Sequence, residues 1–477
     1  MKSKGIAVLV IFLFLLILSG CAPEESAAPV LIVGDVDQVF EFSNTAALES
    51  VSANGKSYKA LPLEKVLEEA GPQGLSRVTF VGADKHTATI EVGDLADSFL
   101  AWSSENGWQF VSGRYPINTA IKNIKEIIVQ GDGRQGLFII DSQRNYPAVT
   151  PGQILSQSHW LYFHPQGQSA REVDGVQYQG TVVSRHALRQ VRDLVPGSVQ
   201  KVLAVGQDGS MHLLSKDSYL EAYGNMIYLN RFDSTPRLPL VGLVLDPPER
   251  CITDLFQDVL SLVEQDEKVL VVLVDGFSYP LYEAAARENL APNILKGAAV
   301  DRALSVYPSI TPCCCAAMLS GKTPDQTGVQ SRKDRVLQVP GILEELEKRG
   351  KKGVIIEGNT IVINMEGEVK LNTDRNQDGQ TDDEILESAL EHLRKGNYDL
   401  VFVHFHSVDD CGHTYGPLAA ETKKQLTVID GYVGKLFAAW EGKRILLSDH
   451  GMHDTDDGGN HGEFRCEDMY VPYVSYN

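Results

Sequence analysis

The sequence predicts an α/β protein: a doubly wound, mostly parallel sheet in its C-terminal part, preceded by one or two smaller α+β modules. Three observations carry this. From residue 268 onward, continuous apolar runs ("KVLVVLV", "KKGVIIEG", "YDLVFVHF", "KRILLS") alternate with helical patterns ("VPGILEELEKRG", "DEILESALEHLRKG", "KKQLTVIDGYVGKLFAAW"). Strands apolar on both faces belong to sheets covered on both sides, and alternation with helices implies parallel crossovers. Residues 31–145 instead show short extended runs ("VTFVGA", "TATIEV", "EIIVQ") around one helical pattern, "LPLEKVLEEAG". Residues 54–95 can also be laid beside 174–220, each with a glycine turn, an extended stretch, a helix, a strand ending "VG" and a hairpin. Such a period suggests a duplicated module. The predicted order is a module at 31–145, a second at 146–250, a boundary near "DPPERCI", and an α/β domain over 255–477.

The first 21 residues are read as a leader. Two lysines precede a 14-residue apolar run (residues 5–18), the length of a secretory core and short for a membrane span. "LSGC" then resembles the lipobox of bacterial lipoproteins, in which Cys21 would be acylated and residues 22–30 would form a tether. The expected location is extracytoplasmic, anchored to the cell membrane through lipid alone.

The formal net charge of the chain is −20, and removing Lys2 and Lys4 makes the remainder −22. Such an acidic body argues against binding a nucleic-acid duplex. Clustered carboxylates suit metal cations instead. Of seven cysteines none lies between residues 22 and 250, and no CxxC pair exists, which argues against a disulfide scaffold or a zinc knuckle.

Polar residues just past the C-terminal ends of strands mark ligand sites in open α/β sheets. "VVLVDG" ends at Asp275, "VFVHFHSVDDCGH" brings Asp409 and His413, "ILLSDHGM" brings Asp449 and His450, and "GGNHGE" presents His461. Carboxylates and imidazoles converging on one edge need cations between them. Oxygen and nitrogen donors without thiolate suit zinc, with manganese or iron as alternatives.

The order DG, a Ser/Thr–Pro turn, DxxGH, SDHGM and HG over residues 268–477 resembles the alkaline phosphatase superfamily, most closely the type I phosphodiesterase/nucleotide pyrophosphatase family. The resemblance implies that Thr311, in "YPSITPCCCAAMLSG", is the nucleophile at a helix start. It also implies that Asp275, Thr311, Asp449 and His450 hold one metal and that Asp409, His413 and His461 hold the other. The expected reaction is hydrolysis of a small phosphodiester or nucleotide pyrophosphate through a covalent phosphothreonine. A phosphomonoesterase, a phosphonate-bond hydrolase and an inactive binding lipoprotein are the alternatives on the same core. Cys313, Cys314 and Cys315 are then packing residues, although Cys314 stands where many relatives carry a phosphate-contacting asparagine. A sulfatase requires Cys-x-Pro-x-Arg, which "CCCAA" lacks. His404, His406, His453 and Asp410 match no ligand position and are read as outer or structural groups.

Residues 31–145 resemble, more faintly, the molybdopterin-binding fold of the sulfite oxidase family, on "LPLEKVLEEAG", "VTFVGADKHTATIEVGDL" and "IKEIIV". That family's metal-ligating cysteine has no counterpart here, so no such cofactor is expected. Finally, "DRNQDGQTDDEI" puts Asp374, Asn376, Asp378, Gly379 and Asp382 at positions 1, 3, 5, 6 and 9 of an EF-hand-like loop. Position 12 is Ile385, with Asp383 or Glu384 as substitutes for the expected glutamate.

Overall fold

The structure, a computed structural model, describes residues 27–92, 95–132, 136–157, 161–232 and 237–476. The leader and Cys21 lie outside the described residues. The chain divides into two compact units. The first comprises residues 27–33, 38–71 and 77–128. It holds a five-stranded sheet, a four-stranded antiparallel sheet and the short helix Leu63–Glu68, whose Leu63, Val66 and Leu67 are buried. Phe80 stacks on Phe110 with ring centroids 4.3 Å apart. This is the α+β texture the sequence predicts.

The second unit comprises residues 34–37, 72–76 and the described chain from 129 onward. The expected boundary near residue 250 therefore does not separate compact units. Ile140, Val205, Val241 and Val244 bury the same apolar cluster as Leu304, Phe464, Met469 and Tyr470 of the C-terminal domain. Asn145 Nδ2 also donates to Glu467 Oε2 at 2.8 Å, and Cys466 N donates to Asn145 Oδ1 at 2.8 Å. The second stretch laid out as a repeat departs from the expected element order. It has the strand Val202–Gly206 and the hairpin partner Met211–Leu214, but the expected helix is the long strand Val176–Gln190 followed by the single turn Val191–Asp193. Ala187–Gln190 pair with Tyr219–Ala222, so sheet pairing overrides local helical pattern there.

The C-terminal domain is built on an eight-stranded sheet. Its strands are β1 (Arg250–Cys251), β2 (Val269–Val274), β3 (Ala298–Leu304), β4 (Gly353–Glu357), β5 (Glu368–Leu371), β6 (Leu400–Phe405), β7 (Lys443–Leu447) and β8 (Tyr470–Tyr476). Their order is β1-β3-β8-β7-β2-β6-β4-β5. Neighbours are parallel except β8, which runs antiparallel to β3 and β7. Helices α1 (Asp254–Glu264), α3 (Thr311–Ser320) and α4 (Ile342–Lys348) cover one face. Helices α2 (Tyr279–Glu288), α5 (Asp382–Lys395) and α7 (Ala420–Ala438) cover the other. Val269, Val271 and Leu273 point into the first core, and Leu270, Val272 and Val274 into the second. That two-sided burial explains why these strands read as continuous apolar runs, as expected for a doubly wound sheet.

Candidate active site

Strand register sets the site. Val274 lies opposite Phe405, and Leu273 lies opposite Leu447, so β2, β6 and β7 end at one level. Asp275 follows β2, Asp449 and His450 follow β7, and helix α6 (Ser407–Tyr415), which carries Asp409 and His413, begins just after β6. Gly276 has φ +70°, and a Cβ there would lie 2.8 Å from Asp409 Oδ1. Only glycine lets the β2 turn approach α6 so closely.

Each imidazole that the sequence assigns to a metal is oriented by the same device. The Nδ1–H of His413 donates to the Gly459 carbonyl at 3.0 Å, that of His450 to Gly451 at 3.0 Å, and that of His461 to Ser309 at 2.9 Å. A backbone carbonyl on Nδ1 turns Nε2 toward the site, the arrangement that orients metal-ligating histidines. His450 Nε2 lies 3.2 Å from Asp275 Oδ1, 3.2 Å from Asp449 Oδ2 and 3.2 Å from Thr311 Oγ1. His413 Nε2 is 3.3 Å from Asp409 Oδ2, and His461 Nε2 is 3.8 Å from Asp409 Oδ1. The rings of His450 and His461 stack at 3.7 Å.

Asp275 Oδ1, Asp409 Oδ1 and Asp449 Oδ2 are buried and meet no polar group other than the imidazoles of His450 and His461. Buried carboxylate oxygens are costly when unpaired, so these donors fit divalent cations. Ligand atoms of Asp275, Asp449 and His450 lie within 4.8 Å of one another, as do those of Asp409, His450 and His461. His450 thus stands between the two expected metal sets. A third group, Asp275, His404 and His406, meets the same distance.

The ionisation pattern reflects this crowding. Burial opposes the charge of Asp275, but hydrogen bonds from His404, His406 and His450 hold it well below the ordinary carboxylate range. Burial and the charge of Asp275 push Asp449 up to about 7. Burial disfavours a charged His450, yet Asp449 and Asp275 carry it up to about 10. Burial and the neighbouring His450 drive His461 down to about 3.

Thr311 opens α3 directly ahead of Pro312, and all three cysteines of that helix are buried. Burial pushes Cys313 up to about 12 and raises Cys314 and Cys315 well above the usual thiol value. Protonated thiols are neither nucleophiles nor good metal ligands. Cys314 Sγ instead sits 3.3 Å from Ser305 Oγ, which donates to the Asp449 carbonyl at 2.5 Å.

The outer groups separate clearly. His404 Nε2 lies 3.1 Å from Asp275 Oδ2, and its Nδ1 faces Glu357 Oε1 at 3.8 Å, so this ring is turned onto the aspartate. His406 Nδ1 is 3.5 Å from the same oxygen. His453 pairs with buried Asp468 at 2.8 Å. Sequence reading missed Glu357, Ser305 and Arg332, whose Nη2 donates to His461 Nε2 at 3.4 Å. None lies in a motif, and only the register of neighbouring strands and loops reveals them. Asp382, expected in the cation loop, accepts hydrogen bonds from His406 N at 2.9 Å and Ser407 N at 3.0 Å. It fastens the start of α6 instead.

Residues 269–341 and 353–470 match the family model described as Type I phosphodiesterase / nucleotide pyrophosphatase. A stretch of 84 residues is 34% identical to the catalytic subunit of human GPI ethanolamine phosphate transferase 3, covering 17% of this chain and 8% of that protein. The chain thus spans under a tenth of that relative's length. Among solved structures, phosphonoacetate hydrolase from Sinorhizobium meliloti 1021 is 18% identical, with TM-score 0.33 over 39% of this chain and 56% of that one. Murine ectonucleotide pyrophosphatase/phosphodiesterase 5 is 14% identical, with TM-score 0.37 over 44% of this chain and 88% of that one. Over residues 269–341 and 353–470, then, the C-terminal domain is similar to the type I phosphodiesterase / nucleotide pyrophosphatase family.

Proposed function

We propose that the C-terminal domain cleaves a phosphoester, with a phosphodiester or pyrophosphate preferred, through Thr311. The observation that carries this reading is the set of three imidazoles with carbonyl-bound Nδ1 atoms and inward Nε2 atoms beside three unpaired carboxylate oxygens. Asp275, Asp449, His450 and Thr311 would hold one divalent cation, and Asp409, His413 and His461 the other, with zinc favoured by the mixed oxygen and nitrogen donors. Such cations lower the pKa of a hydroxyl and neutralise phosphoryl oxygens.

Thr311 Oγ1 forms a bond to phosphorus as the bond to the leaving oxygen breaks, and the hydroxyl proton ends on the departing alcohol. Water then displaces Thr311 and restores its hydroxyl. The N-terminal end of α3 presents its dipole to the phosphate. Arg332, whose Nη2 lies 3.4 Å from His461 Nε2 and would be freed from it by a bound cation, brings a positive charge to a site whose Cys314 cannot act as a strong donor.

Beside His406 lies a cleft of about 320 Å³ lined by Asn359, Thr360, Gln380 and Asp410 among others. No Phe, Tyr or Trp is among its lining residues. The test is a profile of the purified chain on bis(p-nitrophenyl) phosphate, p-nitrophenyl phosphate, ATP and phosphonoacetate. A diester kcat/KM at least about tenfold above the monoester value is expected, a difference of about 1.4 kcal/mol in transition-state binding. Preference for phosphonoacetate or the monoester would overturn the reading in favour of an alternative on this core.

The leader and "LSGC" support export and anchoring through Cys21. Radiolabelled palmitate should be incorporated by cells expressing the chain and lost in Cys21→Ser. Equal labelling of the variant would remove Cys21 as the anchor.

A further inference from the structure

The loop before α5 holds a polar group that its own hydrogen bonds leave unexplained. The Glu384 carboxylate is 4% exposed, and its Oε1 accepts from Arg375 N at 2.7 Å, which places the group inside the loop. Its Oε2 is buried with no hydrogen-bond partner. A carboxylate oxygen that is both buried and undonated is costly unless a cation meets it.

The surroundings match that requirement. Asp374 sits at the first position of the loop, and its two oxygens accept from Gln377 N at 2.6 Å and Gly379 N at 2.9 Å. These bonds curl the chain around the Asp374 carboxylate. The Asn376 amide nitrogen lies 2.9 Å from Asp383 Oδ2 and 3.3 Å from Asp378 Oδ2, where a positive group is wanted between carboxylates. Position 9 is lost to the site because Asp382 fastens α6, and position 12 is Ile385, fully buried in the core. The two acidic side chains between them, Asp383 and Glu384, remain.

We propose that residues 374–384 form a calcium site closed by Asp383 and Glu384 in place of the ninth and twelfth ligands of an EF-hand loop. Oxygen donors alone and a glycine at position 6 select calcium over transition metals. The site is separate from the catalytic donors and does not depend on the proposed reaction. It does touch the cleft beside His406, because Gly379, Gln380 and Thr381 line it. Calcium would therefore stiffen one wall of the cleft together with the residue that anchors α6.

The experiment titrates Ca²⁺ into the zinc-saturated full chain by calorimetry and records its thermal unfolding with and without calcium. One calcium per chain is expected, with Kd in the range of about 10⁻⁶–10⁻³ M, together with a rise in Tm, since a ligand that binds only the folded state stabilises it. Glu384→Gln and the surface variant Asp378→Asn should each weaken binding by roughly tenfold or more and lose the Tm rise, as each removes a charged ligand. No saturable binding up to about 10 mM calcium, well above the weakest such loops, would overturn the proposal. Wild-type affinity in folded Asp378→Asn protein would overturn it equally. Both readouts are independent of hydrolysis, so failure of the phosphoesterase reading leaves this test intact.

Discussion

Thr311→Ala should lower turnover by several orders of magnitude, on the order of 10³–10⁶-fold, as loss of a covalent nucleophile does, while the protein stays folded. The side chain is only half-buried, and its hydroxyl makes one hydrogen bond, to His450 Nε2 at 3.2 Å. Losing one such bond costs about 0.5–1.5 kcal/mol, too little to unfold a domain. Cys314→Ala provides the contrast. Its thiol lies behind the site, and burial together with the charge of Asp449 keeps it protonated. That variant should lose stability through a small cavity yet retain most activity. Rates and circular dichroism of both variants decide the matter. An inactive Cys314→Ala beside an active Thr311→Ala would assign the chemistry to the cysteine.

Chelation should abolish activity, and added zinc should restore it, because three buried carboxylate oxygens face only imidazole Nε2 atoms. Metal per chain should fall by about one equivalent in Asp449→Asn, proposed for the Thr311 side, and in His413→Ala or His461→Ala, proposed for the Asp409 side. Rates should fall by orders of magnitude in all three. The sign of the pH effect follows from the metal-free site. There His450 is held up to about 10 and Asp449 to about 7, so both carry protons at neutral pH to a large extent. Metal uptake must displace them, so binding should release protons and weaken as pH falls. Calorimetry in buffers of different ionisation enthalpy reads the proton count. Two metals retained at full activity in His461→Ala would reject the ligand set and direct attention to His404 and His406.

Much of the site was legible before any coordinates. Asp275 and Asp449 stand out because each follows a long apolar run, and a strand buried on both faces can place a carboxylate only at its end, while Asp409 lies in the helix that begins just after such a run. His413 follows Asp409 at the i, i+4 spacing of one helix face. The outer residues were not legible. Glu357 ends a strand like any other, and it faces His404 only because β4 and β6 are neighbours. Arg332 reaches His461 across 129 residues of sequence. Asp382 fitted a loop pattern by spacing, but its carboxylate turns toward α6, 24 residues away.

The N-terminal boundary shows the same division. Local composition marked residue 250 as a seam, and the change from short strands to long apolar runs is real. What it could not show is that Ile140, Val205, Val241 and Val244 present a common apolar face to Leu304, Met469 and Tyr470. Periodicity reports which side of an element is buried, not what buries it. The sequence by itself determined the α/β sheet, the strand ends that carry the donors and the threonine at the start of α3, since these follow from local hydrophobic pattern and turn chemistry. Strand order, the orientation of each imidazole by a distant carbonyl and the joining of the middle module to the C-terminal domain were decided only by tertiary structure, because each depends on contacts between residues far apart in the chain.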